Sequence, residues 1–82
     1  MNTDIINAIS SETRIRILSA IGKGEICACK IPSKVNKTQP AVSQHLNVLK
    51  KAGLVESRRD GTMILYSLTE KGKKVLEDIE GW

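Results

Sequence analysis

Residues 38–53 read TQPAVSQHLNVLKKAG, and the fold turns on them. Val42, Leu46 and Leu49 recur at i, i+4 and i+7, which places them on one apolar stripe of a helix. Gln44, Asn47 and Lys51 project to the opposite side, with Ser43 on its flank. Thr38 suits the N-cap, because its hydroxyl can accept a bond from a free amide of the first turn. Pro40 fits that turn, where N–H groups have no intrahelical partner. Gly53 supplies the left-handed residue that ends the helix. Short hydrogen-bonding side chains early and lysines late suit the major groove of double-stranded DNA. The stretch therefore reads as a DNA recognition helix.

The flanks extend that reading. Residues 25–35, EICACKIPSKV, read as a short helix with Ile26, Ile31 and Val35 as its apolar contacts. Pro32 lacks an N–H and clashes with a preceding turn. Either the helix starts near Pro32, or residues 27–31 form a separate or bent turn. Asn36 and Lys37 then make a brief connection, giving a helix-turn-helix. Further upstream, Ser11 caps a helix, with Glu12 near its positive end. Ile15, Leu18 and Ile21 are its stripe, with Ile17 beside it, and Gly22 and Gly24 stop it. Arg14 and Arg16 read as solvated. Residues 2–9 form a short amphipathic helix bearing Ile5, Ile6 and Ile9, with Asn2 or Thr3 as its cap.

Downstream, residues 54–59 and residues 62–68 (TMILYSL) read as two strands. Asp60-Gly61 between them is a type I′ hairpin signal. Arg58 and Arg59 lie beside the tip, so the hairpin reads as a wing along the DNA backbone or in the minor groove. Thr69 caps a last helix with Gly72, Val75, Leu76 and Ile79 on its apolar face. One small core leaves the terminal stripes over, so the first and last helices are expected to form a two-fold interface, with Trp82 against it. The expected fold is mainly α with a β-hairpin wing: a winged helix-turn-helix of about five helices and two antiparallel strands. Residues 1–82 make one domain.

Composition bounds the rest. Eighty-two residues suit one domain, and with no Phe, one Trp and one Tyr the core must be aliphatic. So small a domain buries a limited share of its surface, which makes a homodimer the expectation. The net charge of +4 is uneven: residues 30–59 hold seven basic side chains against the single Glu56. A basic centre around the recognition helix suits a phosphate-facing surface. No apolar run approaches the roughly 18 residues of a membrane span. With no charged-then-apolar leader, the cytoplasm is the expected compartment. Two cysteines one residue apart do not make a secreted disulfide framework.

Several motifs in this order resemble the ArsR/SmtB family of winged-helix repressors: SETRIRIL from Ser11, EICACKI from Glu25, QPAVSQHL from Gln39, LKKAGLV from Leu49 and RRDG from Arg58. The resemblance spans roughly residues 8–68. It implies a homodimer that binds a palindromic operator, represses transcription and is released by an inducer, often a thiophilic metal or metalloid. The candidate DNA contacts are Thr38, Gln39, Ser43, Gln44, Asn47, Lys51, Arg58 and Arg59. His45, beside the apolar stripe, reads as a packing residue. Cys27 and Cys29 match the family's Cys-x-Cys and suit soft ions such as As(III), Cd(II) or Zn(II). Residues i and i+2 of an α-helix differ by about 200° in direction, so one ion reaches both sulfurs only if the turn unwinds or is irregular. Ligation there would shift the recognition helix that follows.

The chain departs from the family pattern in several places. Pro32 stands near the point where some arsenic sensors carry a third cysteine, and the N-terminal arm has no thiol. Lys30 replaces a usual acid, and neither terminal helix holds the His of the interfacial zinc site. Glu25, water, a small thiol or the second chain would complete the shell. The alternatives are a thiol redox-sensing repressor with the same DNA-binding mode, cysteines with no sensing role, and a winged-helix interaction module without DNA binding. An enzyme is not expected: His45 is the only histidine, and neither paired acids nor a phosphate loop occur.

Overall fold

The computed structural model describes residues 3–81, the side chain of Asp4 excepted. The roles expected for Asn2 and Trp82 lie outside the described residues. The elements are α1 (Thr3–Ile9), α2 (Glu12–Ile21), β1 (Glu25–Cys27), a 3-10 turn (Ala28–Lys30), α3 (Ile31–Val35), α4 (Gln39–Lys51), β2 (Val55–Asp60), β3 (Met63–Leu68) and α5 (Glu70–Glu80). This is the winged helix-turn-helix read from the sequence, with one strand more than expected. Residues 25–35 are not one helix: they divide into β1, the 3-10 turn and α3. The sheet is antiparallel throughout, in the order β1-β3-β2.

The helix ends behave as their residues dictate. Ser11, Thr38 and Thr69 are N-caps whose hydroxyls accept from the amides of Arg14, Ala41 and Gly72 at 3.3, 3.3 and 3.0 Å. Pro32 sits in the first turn of α3, where its missing N–H costs nothing. Helix α4 closes in a Schellman motif: Gly53 has φ +79°, its N–H donates to Lys50 O, and Leu54 N–H donates to Leu49 O. Arg14 has a local role that its charge did not reveal. Its Nε donates to Ala8 O at 2.9 Å and its Nη2 to Asn7 O at 3.1 Å, which caps the last turn of α1. Arg16 pairs with Glu12 one turn earlier.

The core is aliphatic, as the composition requires. Ile17, Leu18, Ile31, Val42, Leu49 and Leu54 are wholly buried within it. The terminal helices contribute more to this core than expected. Ala8 is fully buried and Ile5 and Ile9 pack beside it, while α5 contributes Leu76 and Val75. The apolar residue that α1 leaves to solvent is Ile6, at 47% exposure.

The hairpin register also differs. Val55 pairs with Leu68 at the base and Asp60 with Met63 at the tip, so the two-residue loop is Gly61-Thr62. Gly61 has φ +64°, and Asn36 is the only non-glycine with positive φ among the described residues. Gly61 thus takes the first central position of a type II′ turn, not the second of a type I′.

Among the described glycines, Gly72 is the one most closely pressed by neighbouring backbone. A Cβ built there would stand 1.9 Å from Leu54 O. Around it, Thr69 N–H donates to Leu54 O at 3.1 Å, and the Thr69 hydroxyl donates to Gly53 O at 2.6 Å. Gly72→Ala must push α5 off the chain leaving α4, at a cost of about 1–3 kcal/mol or more. Thermal denaturation is expected to show a lowered Tm for Gly72→Ala. The control Gly24→Ala, whose new methyl meets nothing within 4 Å, is expected to melt like the wild type.

Candidate nucleic-acid interface and thiol turn

Helix α4 divides cleanly. Val42, Leu46 and Leu49 are buried, while Gln39, Ser43, Gln44, Asn47 and Lys51 are exposed. Ser43, Gln44, Asn47 and Lys51 follow one another at helical spacing along a single outer stripe. Thr38 and Gln39 stand at the start of that stripe. A five-residue α3 and a left-handed Asn36 (φ +56°, ψ +47°) lead into α4, and Lys37 N–H donates to Pro32 O. The entry angle is thereby fixed by backbone hydrogen bonds. At the other end, Lys50 Nζ lies 3.1 Å from Ser57 Oγ and ties α4 to β2.

The wing separates its two arginines. Side chains alternate along a strand, so neighbours face opposite ways. Arg59 shares a face with Val55 and Ser57, the side of the sheet that meets α4 and the core. Arg58 points to the outer face, in one cross-strand row with Leu65 and Cys27. There it is held. Its Nε donates to Glu25 Oε2 at 2.5 Å and its Nη2 to Glu25 Oε1 at 2.8 Å, a bidentate fork reaching over β3. The guanidinium holds the Glu25 carboxyl below its ordinary range, and Glu25 in turn raises Arg58. Nothing local in the sequence signals this pair, whose members lie 33 residues apart.

Cys27 ends β1 and is buried, whereas Cys29 lies in the 3-10 turn and is exposed. Cys29 N–H donates to Cys27 Sγ at 3.4 Å. The hydrogen bonds from Cys29, helped by the charge of Lys30, lower the Cys27 thiol; the same contact raises Cys29. The pair is thus not on α-helical backbone, and the 200° divergence expected of a helix does not apply. Among the described residues no third His, Cys, Asp or Glu joins them in a ligand cluster. The Glu25 carboxylate is engaged by Arg58. The thiols suit a soft ion in kind, but the described residues supply two donors there rather than a closed set.

His45 is half-buried at the edge of the α4 stripe, as its spacing suggested. Burial lowers its pKa from the usual 6.5, and the nearby positive charges of Arg14 and Lys37 lower it further. No described helix is long and apolar enough to cross a membrane.

A family profile described as "Bacterial regulatory protein, arsR family" matches residues 11–57. The chain is 41% identical over 68 residues to the HTH-type transcriptional regulator MJ1325 of Methanocaldococcus jannaschii, covering 82% of this chain and 76% of that protein. It is 37% identical over 79 residues to the transcriptional repressor SdpR of Bacillus subtilis, covering 96% of this chain and 84% of that one. Among solved structures it is similar to the homodimeric winged helix-turn-helix DNA-binding domain of Mb0332 from Mycobacterium bovis. That likeness has a TM-score of 0.89 at 26% identity, over 96% of this chain and 74% of that one.

The position of His45 has a consequence for stability. Its folded pKa lies below its unfolded value, so on acidification the unfolded chain takes up the proton first. Stability is expected to fall as pH drops through about 6.5 toward the lower folded value. Denaturant titrations at about pH 7.5 and about pH 5.5, both above the ordinary carboxylate range, read this directly. His45→Gln is expected to flatten the difference.

Proposed function

The chain belongs to the arsR family of regulatory proteins, and on that premise we propose a repressor that binds a palindromic operator in double-stranded DNA as a homodimer. The observation that carries this reading is the exposed polar stripe Ser43, Gln44, Asn47 and Lys51 on a helix capped at both ends. Gln44 and Asn47 offer paired donors and acceptors to base edges. Thr38, Gln39 and Lys51 suit phosphate oxygens at the two ends of the helix. Arg59 adds a cation on the face of the wing that meets α4, and Arg58 is its counterpart on the outer face.

Dimerisation accords with the homodimeric Mb0332 domain and with the exposed Ile6 on α1. The dimer would unite the terminal helices of two copies of a domain spanning residues 1–82. Half-sites would then lie about one helical turn apart. Regulation of transcription rather than catalysis accords with the named relatives.

The inducer reading rests on Cys27 and Cys29. A soft ion such as As(III), Cd(II) or Zn(II) would take both sulfurs on the non-helical turn, with water or a small thiol as its remaining ligand. The turn joins β1 to α3 and so leads to α4 within a few residues. The lowered Cys27 thiol also supports the redox alternative, because the thiolate is the reactive form.

Two measurements test these points. Fluorescence anisotropy with duplex DNA is expected to give log K falling linearly with log salt. Arg58→Ala with Arg59→Ala is expected to weaken binding by at least about tenfold and flatten that slope by up to about two. Titration of the reduced protein with As(III) or Cd(II) is expected to produce thiolate-to-metal absorption and loss of DNA affinity, both absent in Cys27→Ser. An unchanged spectrum and unchanged affinity would remove the metal reading and leave the redox one.

A further inference from the structure

We propose that Glu25 competes with DNA phosphate for Arg58, so that the wing holds one of its two cations in reserve. The inference rests on the DNA-binding reading above and adds to it a residue that tunes affinity. The geometry is specific. Arg58 and Glu25 meet in a bidentate fork at 2.5 and 2.8 Å, with side chains 56% and 39% exposed. A guanidinium in such a fork has two of its three nitrogens committed and a carboxylate where a phosphate would approach. Its neighbour Arg59 has no such partner among the described ion pairs. Two adjacent arginines are thus electrostatically unequal: Arg59 presents its full charge, and Arg58 presents a nearly neutral pair.

The pair is surface-exposed, so water and salt screen it and its closure is shallow. A phosphate can therefore displace Glu25, but only by leaving that carboxylate uncompensated beside the DNA. Strand pairing sets the arrangement. Glu25 stands opposite Ser67, and Ser67 opposite Glu56, while Arg58 stands opposite Leu65, and Leu65 opposite Cys27. Glu25 reaches Arg58 diagonally only while β1 is paired to β3. Without β1, Arg58 would lose the fork and keep only the charge of Asp60 on its own face of β2.

The test uses a labelled mixed-sequence DNA duplex, because phosphate contacts are independent of sequence. Anisotropy titrations over a range of KCl concentrations compare wild type, Glu25→Gln, Arg58→Ala and the double variant, with thermal melts to show that all are folded. Glu25→Gln is expected to tighten binding about five- to tenfold per protomer at about 0.1 M salt, and to steepen the salt slope by about one, as one more phosphate is neutralised. In the Arg58→Ala background the same exchange is expected to have a much smaller effect. Unchanged or weaker binding by Glu25→Gln would overturn the proposal, since Glu25 would then be orienting Arg58 or doing nothing. A gain that persists undiminished without Arg58 would also overturn it, as a general effect of removing a negative charge. A wild-type chain that ignores the duplex at all salt concentrations would overturn the DNA-binding reading together with this inference.

Discussion

The position of α4 depends on one backbone contact, the approach of Gly72 to Leu54. The Leu54 carbonyl accepts from Thr69 N–H, and the Gly53 carbonyl accepts from the Thr69 hydroxyl. The same hydroxyl caps α5 through Gly72 N–H, so one threonine joins the end of α4 to the start of α5. Each hydrogen bond contributes only about 1 kcal/mol net. Together they fix the chain at the point where α4 ends, β2 begins and β3 returns. Leu54 is wholly buried beneath them. An exposed stripe of polar side chains has a defined direction only if the helix bearing it cannot roll. The Schellman cap and the glycine contact prevent that at one end, and left-handed Asn36 does so at the other.

The wing obeys a second constraint, strand alternation. Two consecutive arginines look like one basic cluster in a sequence, yet in a strand they serve two surfaces. Arg59 belongs to the side of α4. Arg58 belongs to the side of the thiol turn, in the row of Cys27 and Leu65. Total charge is therefore a poor guide to what this wing offers a phosphate. The same alternation places Glu25 and Cys27 on one face of β1, so a single short strand carries both the carboxylate that engages Arg58 and a thiol of the turn.

What could be read from the chain follows the range of the interactions involved. The helices α2, α4 and α5 were legible because cap, stripe and stop lie within a few residues of one another. So was the exposed stripe of Ser43, Gln44, Asn47 and Lys51, which is a matter of helical period alone. Strand β1 was not. Three residues carry no period, and EIC becomes a strand because β3 has a free edge for it, a partner some 40 residues away. The hairpin tip failed for a related reason. Asp60-Gly61 is a strong local signal, but Val55 and Leu68 must both face the core, and counting outward from that buried pair leaves Gly61-Thr62 as the loop. Core burial at the base set the register, and the turn type followed. Arg14 was hidden likewise, since capping α1 requires α1 to fold back on α2.

The thiol turn shows how one such non-local pairing changes the chemistry available. On an α-helix, Cys27 and Cys29 would diverge, and bringing both sulfurs to one ion would require unwinding. Because β3 draws residues 25–27 into the sheet, the chain must turn sharply before α3, and Ala28, Cys29 and Lys30 make that turn as a single 3-10 element. The amide of Cys29 then points at Cys27 Sγ, which stabilises the thiolate without any helix having to open. A thiol pair prepared in this way is linked by β1 to the wing and by α3 to α4. The edge strand that the sequence concealed therefore sets the geometry of the turn and ties it to the wing, while α3 carries the chain on to α4.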